Sequence, residues 1–337
     1  MRKNGAVLIS VLLVFISCQK SEQESSPLGE KRLYTIGIFQ FIDSITLNEV
    51  RKGVIQALED GGLRDGVDAR LRIRNAMGDM SEVQRIAQEF GQKKMDMVVP
   101  LSTQCLQAAL IEIPKTPIVF SSVANPYIVG AGKSAKDHLS HVTGVASTGP
   151  VKKTIAFIKL LLPNARRIGI LWTPSELNSQ YYLELAREQA GQMGLEVVAV
   201  PVTNTNEVLL SAQELVNKKI DVLFPISDNT INASFEALGK VAEENSLPLF
   251  GGFLLSTEQG ACAAMGYSFF EMGYKTGQIV LRVKGGESPG QIPFQTMDKI
   301  NLYLNLEAAA KQGVRFSESI LKRADKIIRP TEPVSAN

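Results

Sequence analysis

The 337-residue chain is short of the residues that carry most metal and nucleophile chemistry. It has two histidines, His138 and His141, and three cysteines, Cys18, Cys105 and Cys262. The histidines stand three positions apart with no third ligand of the usual kind beside them, so no metal site is expected. No Ser-His-Asp order stands out, so no catalytic set is visible and an enzyme is not expected. Excess charge of one sign is missing as well. The 36 Lys and Arg against 34 Asp and Glu leave a net +2, with no basic tract beyond "KRL" and "RR", which gives no reason to expect nucleic acid. After Ile16 no apolar run approaches the ~20 residues that span a bilayer. A cofactor motif is lacking too. "GAGKS" (130–134) looks like the end of a phosphate-binding loop, but the motif's first glycine position is Tyr127 and no buried strand leads into it. A flexible loop is expected there.

What is present begins at the N-terminus. Arg2 and Lys3 precede an apolar run from Ala6 to Ile16, broken only by Ser10, and small Ser17 stands before Cys18. The run suits a signal-peptide core. "FISC" (15–18) resembles the bacterial lipobox, with Phe15 where leucine is usual. That resemblance implies a signal peptide over 1–17, lipidation of Cys18, and a polar, mobile tether over 18–31. The alternative is an ordinary cleaved signal with an incidental cysteine. In an exported chain Cys105 and Cys262 can form a disulfide or serve as two small buried residues.

From Lys31 onward short apolar strands alternate with amphipathic helices, the pattern of a parallel sheet covered on both faces. "TIGIF" (35–39), "DARLRIRNA", "MDMVVP" (95–100) and "PIVFSS" (117–122) read as strands. Helices are expected from Leu47 to about Glu59, from Ser81, and from about Thr103. Thr46 and Glu49 offer a capping box for the first. The pattern then repeats: "RIGILW" (167–172), a helix from about Gln180 to Gly194, "LEVVAVPV", and "PLFGG" (248–252). The clearest echo is "KKMDMVVPLST" (93–103) against "KKIDVLFPISD" (218–228).

The expected fold is therefore α/β, with two doubly wound parallel-sheet lobes joined by a hinge. The expected division is 32–144 plus 262–288 for lobe I, 145–261 plus 289–328 for lobe II, and a tail from 329. "HVTGVASTGP" (141–150) suits the hinge. A helix around Glu271 to Lys284 and the strand "INLYLNL" must return to the lobes, one to each. Open parallel sheets bind ligands outside the carboxyl ends of their strands. The loops so placed are 40–44, 101–105, 121–127, 173–179, 226–230 and 251–253. They are rich in hydroxyl and amide side chains with an aromatic or two, a set that suits a small zwitterion or polar metabolite.

These loops resemble the solute-binding proteins of bacterial ABC importers, which have the type I periplasmic-binding fold, and more narrowly the group that includes tryptophan and tyrosine binders. The carrying motifs are "IGIFQFID", "NAMGDMSEVQRIAQ", "PIVFSSVANP" followed by "VGAG", "VTGV", "NSQ", "SDNT" and "GYSFFEMGYKTGQ". Similarity runs from Leu33 to Val314. Two cleft loops depart from the pattern: "DSITLNEV" replaces an acidic-His-Pro-Ala-Leu run, and Thr173 stands where asparagine is commoner. The resemblance implies a lipid-anchored, monomeric binding component. It would close on a solute, an amino acid and foremost an aromatic one, and hand it to an ABC permease and its ATPase. No cofactor is implied. The alternative is a ligand sensor for a receptor kinase or chemoreceptor.

Within those loops, Ser102 and Thr103 can hold a carboxylate or simply cap a helix. Ser121, Ser122 and Asn125 are candidate contacts around a rigid turn. Asp228 is expected to pair with a ligand ammonium, or else to cap the next helix, with Asn229 as a second polar partner. Glu176, Asn178 and Ser179 can share the amine, though Glu176 can equally be an exposed loop charge. Phe41, after Gln40, can stack on an aromatic ligand or lie in the core. Tyr267 can add a hydroxyl near the hinge.

Overall fold

The computed structural model describes residues 32–330. The expected signal, tether and Cys18 lie outside the described residues. Among those described, no helix is long and apolar enough to cross a membrane.

The first sheet is built from β1 (Tyr34–Gln40), β2 (Ala69–Asn75), β3 (Met97–Leu101), β4 (Ile118–Val123) and β5 (Val142–Ala146). Its order is β2-β1-β3-β4-β5, every pairing is parallel, and a late strand is added beyond β5. The second lobe repeats this order with β6 (Arg167–Trp172), β7 (Glu196–Pro201), β8 (Val222–Leu223), β9 (Phe250–Gly251) and β10 (Ala263–Gly266). There β7-β6-β8 is joined to β9-β10 by a parallel bridge from Leu223 to Leu249. β11 (Gln295–Thr296) is the late strand of the first sheet, while β12 (Asn301–Asn305) and β13 (Lys326–Ile328) complete the second.

The internal repeat is visible in backbone detail. Lys94 and Lys219, equivalent in the repeat, both take a left-handed φ, 49° and 56°. Asp96 accepts from Thr35 N (2.8 Å), and its counterpart Asp221 accepts from Arg166 N and Arg167 N (2.7 and 2.8 Å). In each lobe the same aspartate ties the third strand's entry to the start of the first strand.

Helices cover both sheets. The first lobe carries α1 (Ile45–Asp60), α2 (Met80–Gln92) and α3 (Thr103–Glu112). The second carries α4 (Val151–Leu161), α5 (Leu177–Gln192), α6 (Val208–Asn217), the single turn α7 (Asn229–Asn232) and α8 (Phe235–Glu244). α9 (Phe269–Lys284) returns to the first lobe and lies on α1 with almost no side chain between them. A Cβ built on Gly273 would stand 1.9 Å from Val50 O, and one on Gly53 would stand 2.1 Å from Phe270 O. Glycine lets the two backbones touch.

Several sequence expectations shift. α1 is capped by Ser44, whose hydroxyl accepts from Leu47 N, so Thr46 and Glu49 form no capping box. Asp79, not Ser81, caps α2. Half of "HVTGVASTGP" is the fully buried strand β5, and only 147–150 crosses between the lobes. The lobe boundaries also differ. β10, within 262–288, pairs in the second sheet, whereas Ile292 and Phe294 pack in the first lobe's core and β11 pairs with β5. Hydrogen bonding to a free sheet edge decides these assignments, and apolar patterning does not reveal which edge is free. The chain thus crosses three times, at 147–150, at 267–268 and at 297–300.

"GAGKS" forms a tight turn held by Lys133 N and Ser134 N on Asp137 O, and His138 stacks on Phe294 at 4.3 Å. Cys105 and Cys262 are free and buried in the cores of different lobes. Burial pushes both thiols up to about 12.

Candidate functional site

The carboxyl ends of the two sheets face one another around a small, partly open cavity of about 30 Å³. Lobe I contributes Ser122, lobe II contributes Asn178, Ser227, Asn229 and Phe253, and the crossing segments and their flanks contribute Ser147, Gly149, Tyr267 and Phe269. Among the described residues no charged side chain lines this wall. It offers hydroxyls, amides and rings.

The lobe I strand ends are strained. Ser122 has φ 57°, and Ser102 has φ 120° and ψ 166°, a region left almost entirely to glycine and worth about 1–3 kcal/mol of strain. Ser102 caps α3 by accepting from Cys105 N (3.4 Å). The next residue, Thr103, is buried and its Oγ1 has no hydrogen-bond partner, an uncommon state for a buried hydroxyl.

Lobe II places two carboxylates just behind the wall. Glu176, 1% exposed, ends the loop after β6 and receives five hydrogen bonds. They come from Asn178 Nδ2 (3.0 Å), Asn229 N (3.1 Å), Asn229 Nδ2 (2.7 Å), Thr230 N (3.0 Å) and Thr230 Oγ1 (2.8 Å). Every contact is a donor, the surroundings of an anion, and among the described residues no Lys or Arg pairs with it. Asp228 is fully buried and caps α7. It accepts from Ile231 N (2.9 Å), Thr173 N (3.0 Å) and Thr173 Oγ1 (3.0 Å). Burial, and next the Glu176 charge, push the Asp228 carboxyl up to about 8, as expected for a desolvated acid beside another.

The lobes meet above this pair. Gln104, 1% exposed at the start of α3, donates from Nε2 to Asn178 Oδ1 (3.0 Å) and accepts at Oε1 from Asn229 Nδ2 (3.3 Å). The structure is therefore a closed arrangement, with a buried side chain of one lobe bonded to two of the other.

Of the residues singled out in the sequence, Ser122, Asn178, Asn229 and Tyr267 line the cavity. The others lie apart from its wall. Asp228 shows the capping geometry, because Thr173 and Ile231 occupy its oxygens and no face is left toward the cavity. Ser179 accepts from Thr173 N (2.9 Å). Phe41 is packed into the lobe I core, and the rings in the wall are Tyr182, Phe253, Tyr267 and Phe269. Gln40 holds the β1–α1 loop, bonding Ile42 O, Asn48 and Arg51. Ser121 accepts from Thr276 Oγ1 (2.8 Å), and Asn125 makes an Asx turn to Tyr127 N (3.0 Å). Sequence reasoning missed Gln104 and Phe269. The repeat carried a signal for the first, since Gln104 follows "PLST" as Asn229 follows "PISD".

The model of the family described as ABC transporter substrate binding protein matches residues 35–328. A tyrosine-binding protein of Clostridioides difficile is 33% identical over 285 residues, covering 85% of this chain and 82% of that protein. Among solved structures, an ABC domain from Streptococcus pneumonia in complex with L-Trp superposes with a TM-score of 0.83 at 26% identity. A substrate-binding protein with adhesive properties from Clostridium difficile, in a ligand-free, open form, gives 0.65 at 30% identity. Each covers 88% of this chain and all of the matched chain.

Proposed function

The chain belongs to the ABC transporter substrate-binding proteins, which bind rather than transform their ligands, and on that footing we propose that it captures an aromatic amino acid between its lobes. It is held at a bacterial membrane surface by a lipid on Cys18, and it delivers the ligand to a permease powered by a separate ATPase.

The observation that carries this reading is the pairing of an uncharged, ring-bearing wall with a buried acid behind it. Among the described residues Glu176 has no counter-cation: five donors hold it, and its negative field favours a cation nearby. A ligand ammonium one amide away is attracted by that field, while a second anion is repelled by it. The amine is received at the carbonyl oxygen of Asn229. The carboxylate is taken by a lobe I hydroxyl, Ser122, which stands in the wall. Phe253, Tyr267 and Phe269 flank the side chain.

The lobe arrangement supports the same reading. This chain superposes better on the Trp-bound relative than on the open, ligand-free one, although its identity to the latter is higher. Ligand contacts from both lobes provide the differential affinity that closure needs.

Thermal unfolding of the chain from Ser21 onward, refolded from denaturant to strip carried-over ligand, tests the solute. A ligand at 100 times its Kd adds about 2.7 kcal/mol. A shift with Tyr, Trp or Phe and not with sugars or nucleosides is the expected result, and a shift with another class alone discards the aromatic reading. Mass spectrometry of the full chain and of Cys18→Ser tests the anchor. A lipid mass present only in the former is expected.

A further inference from the structure

Gln104 and Asn229 sit at the same position of the internal repeat, 125 residues apart, and meet across the cleft. Their contact belongs to a small circuit whose hydrogens can be counted. Asn229 Nδ2 carries two hydrogens. One goes to Glu176 Oε2 and the other to Gln104 Oε1. Both amide donors of Asn229 are therefore spent, and its Oδ1 is the amide atom left without a protein partner. Asn229 lines the cavity, so what it has left to offer a ligand is an acceptor. Asn178 is held by the same two residues but in the opposite sense: Nδ2 gives one hydrogen to Glu176 and keeps the other, while Oδ1 receives Gln104 Nε2.

Glu176 alone cannot impose this. It anchors one hydrogen of each amide, whereas the second Asn229 hydrogen and the Asn178 oxygen are claimed by Gln104, which arrives from the opposite lobe. In an open arrangement the Gln104 bonds are broken, and Asn229 is free to turn a donor toward the cleft. We infer that Gln104 is the positioning residue that makes closure selective for an amine. It latches the lobes and at the same time leaves the Asn229 oxygen as the acceptor facing the ligand. The inference rests on the amine-binding reading above and adds a residue that contacts the ligand only through others.

Two readouts decide it in the full chain carrying Cys18→Ser. Spin labels on Lys115→Cys in lobe I and Gln213→Cys in lobe II, both at exposed positions, report lobe separation. The native Cys105 and Cys262 are buried and do not take label. Without ligand, the chain with native Gln104 is expected to populate a short distance that Gln104→Ala and the similarly sized Gln104→Met both lose. The second readout is the affinity ratio between tyrosine and 3-(4-hydroxyphenyl)propionate, which differ in the amine alone. Both variants should lower that ratio tenfold or more, whereas a merely structural role weakens both ligands alike. An unchanged distance distribution, or an unchanged ratio, overturns the proposal. If tyrosine does not bind the refolded parent chain, the aromatic reading fails. The ratio is then taken with the amine-bearing ligand the panel does identify, and the distance measurement stands independently.

Discussion

The hydroxyl of Tyr182 on α5 donates to Ser147 O at 2.7 Å and accepts from Gly149 N at 3.0 Å, bracketing the first crossing between the lobes. Tyr182 is buried, and both crossing residues line the cavity. One phenol therefore fixes a hinge strand and part of the ligand wall together. Tyr182→Phe leaves a half-buried N–H and a half-buried C=O without their partner, at up to about 1–3 kcal/mol in all. Chemical denaturation should show a loss in that range, with faster ligand dissociation. An unaltered midpoint would mean water replaces the hydroxyl.

The contact of α1 with α9 makes a second prediction. A Cβ on Gly273 meets Val50 O at 1.9 Å, and both partners are backbone, so neither can rotate away. Gly273→Ala should destabilise the protein by about 3 kcal/mol or more, beyond ordinary overpacking of about 1–3 kcal/mol. Urea unfolding measures it, and a loss under 1 kcal/mol would mean the helices part freely.

Asp228 gives a pH dependence whose sign follows from its surroundings. Its carboxyl is pushed up to about 8 in the folded chain, mainly by burial and then by Glu176, while in the unfolded chain it titrates near 3.9. Between those values the folded state holds a proton the unfolded state has lost, so stability falls as pH rises from about 4 to about 8. Asp228→Asn removes the titration and should flatten that part of the profile. Melting temperatures of both proteins in buffers across this range test it, and parallel profiles would assign the slope to other groups.

Glu176 is the acceptor for five donors. Glu176→Gln keeps the shape but turns an N–H₂ toward some of them. With two or more buried donors opposed, a loss of about 2–4 kcal/mol is expected. The affinity for an ammonium ligand should fall as well, because the negative field behind Asn229 is gone. Calorimetric titration separates the two effects, and intact affinity would remove Glu176 from amine recognition.

The architecture was largely legible in the sequence, because a parallel sheet buried on both faces needs near-continuous apolar strands and amphipathic crossings. "RIGILW" (167–172) is β6 to the residue. The echo of 93–103 in 218–228 is a true repeat, down to the left-handed Lys94 and Lys219. Which loops face the cleft also followed, since strand polarity determines it. Tertiary structure alone decided what each side chain does there. Asp228 and Asn229 are neighbours in sequence, yet one turns inward to Thr173 and Ile231 and the other into the cavity. Phe41 and Phe269 look alike as strand-end or helix-start rings, but the first is core and the second is wall. Gln104 meets Asn229 only because the two lobes pack against each other. Such a contact depends on the angle between two bodies, and local periodicity carries no record of that angle.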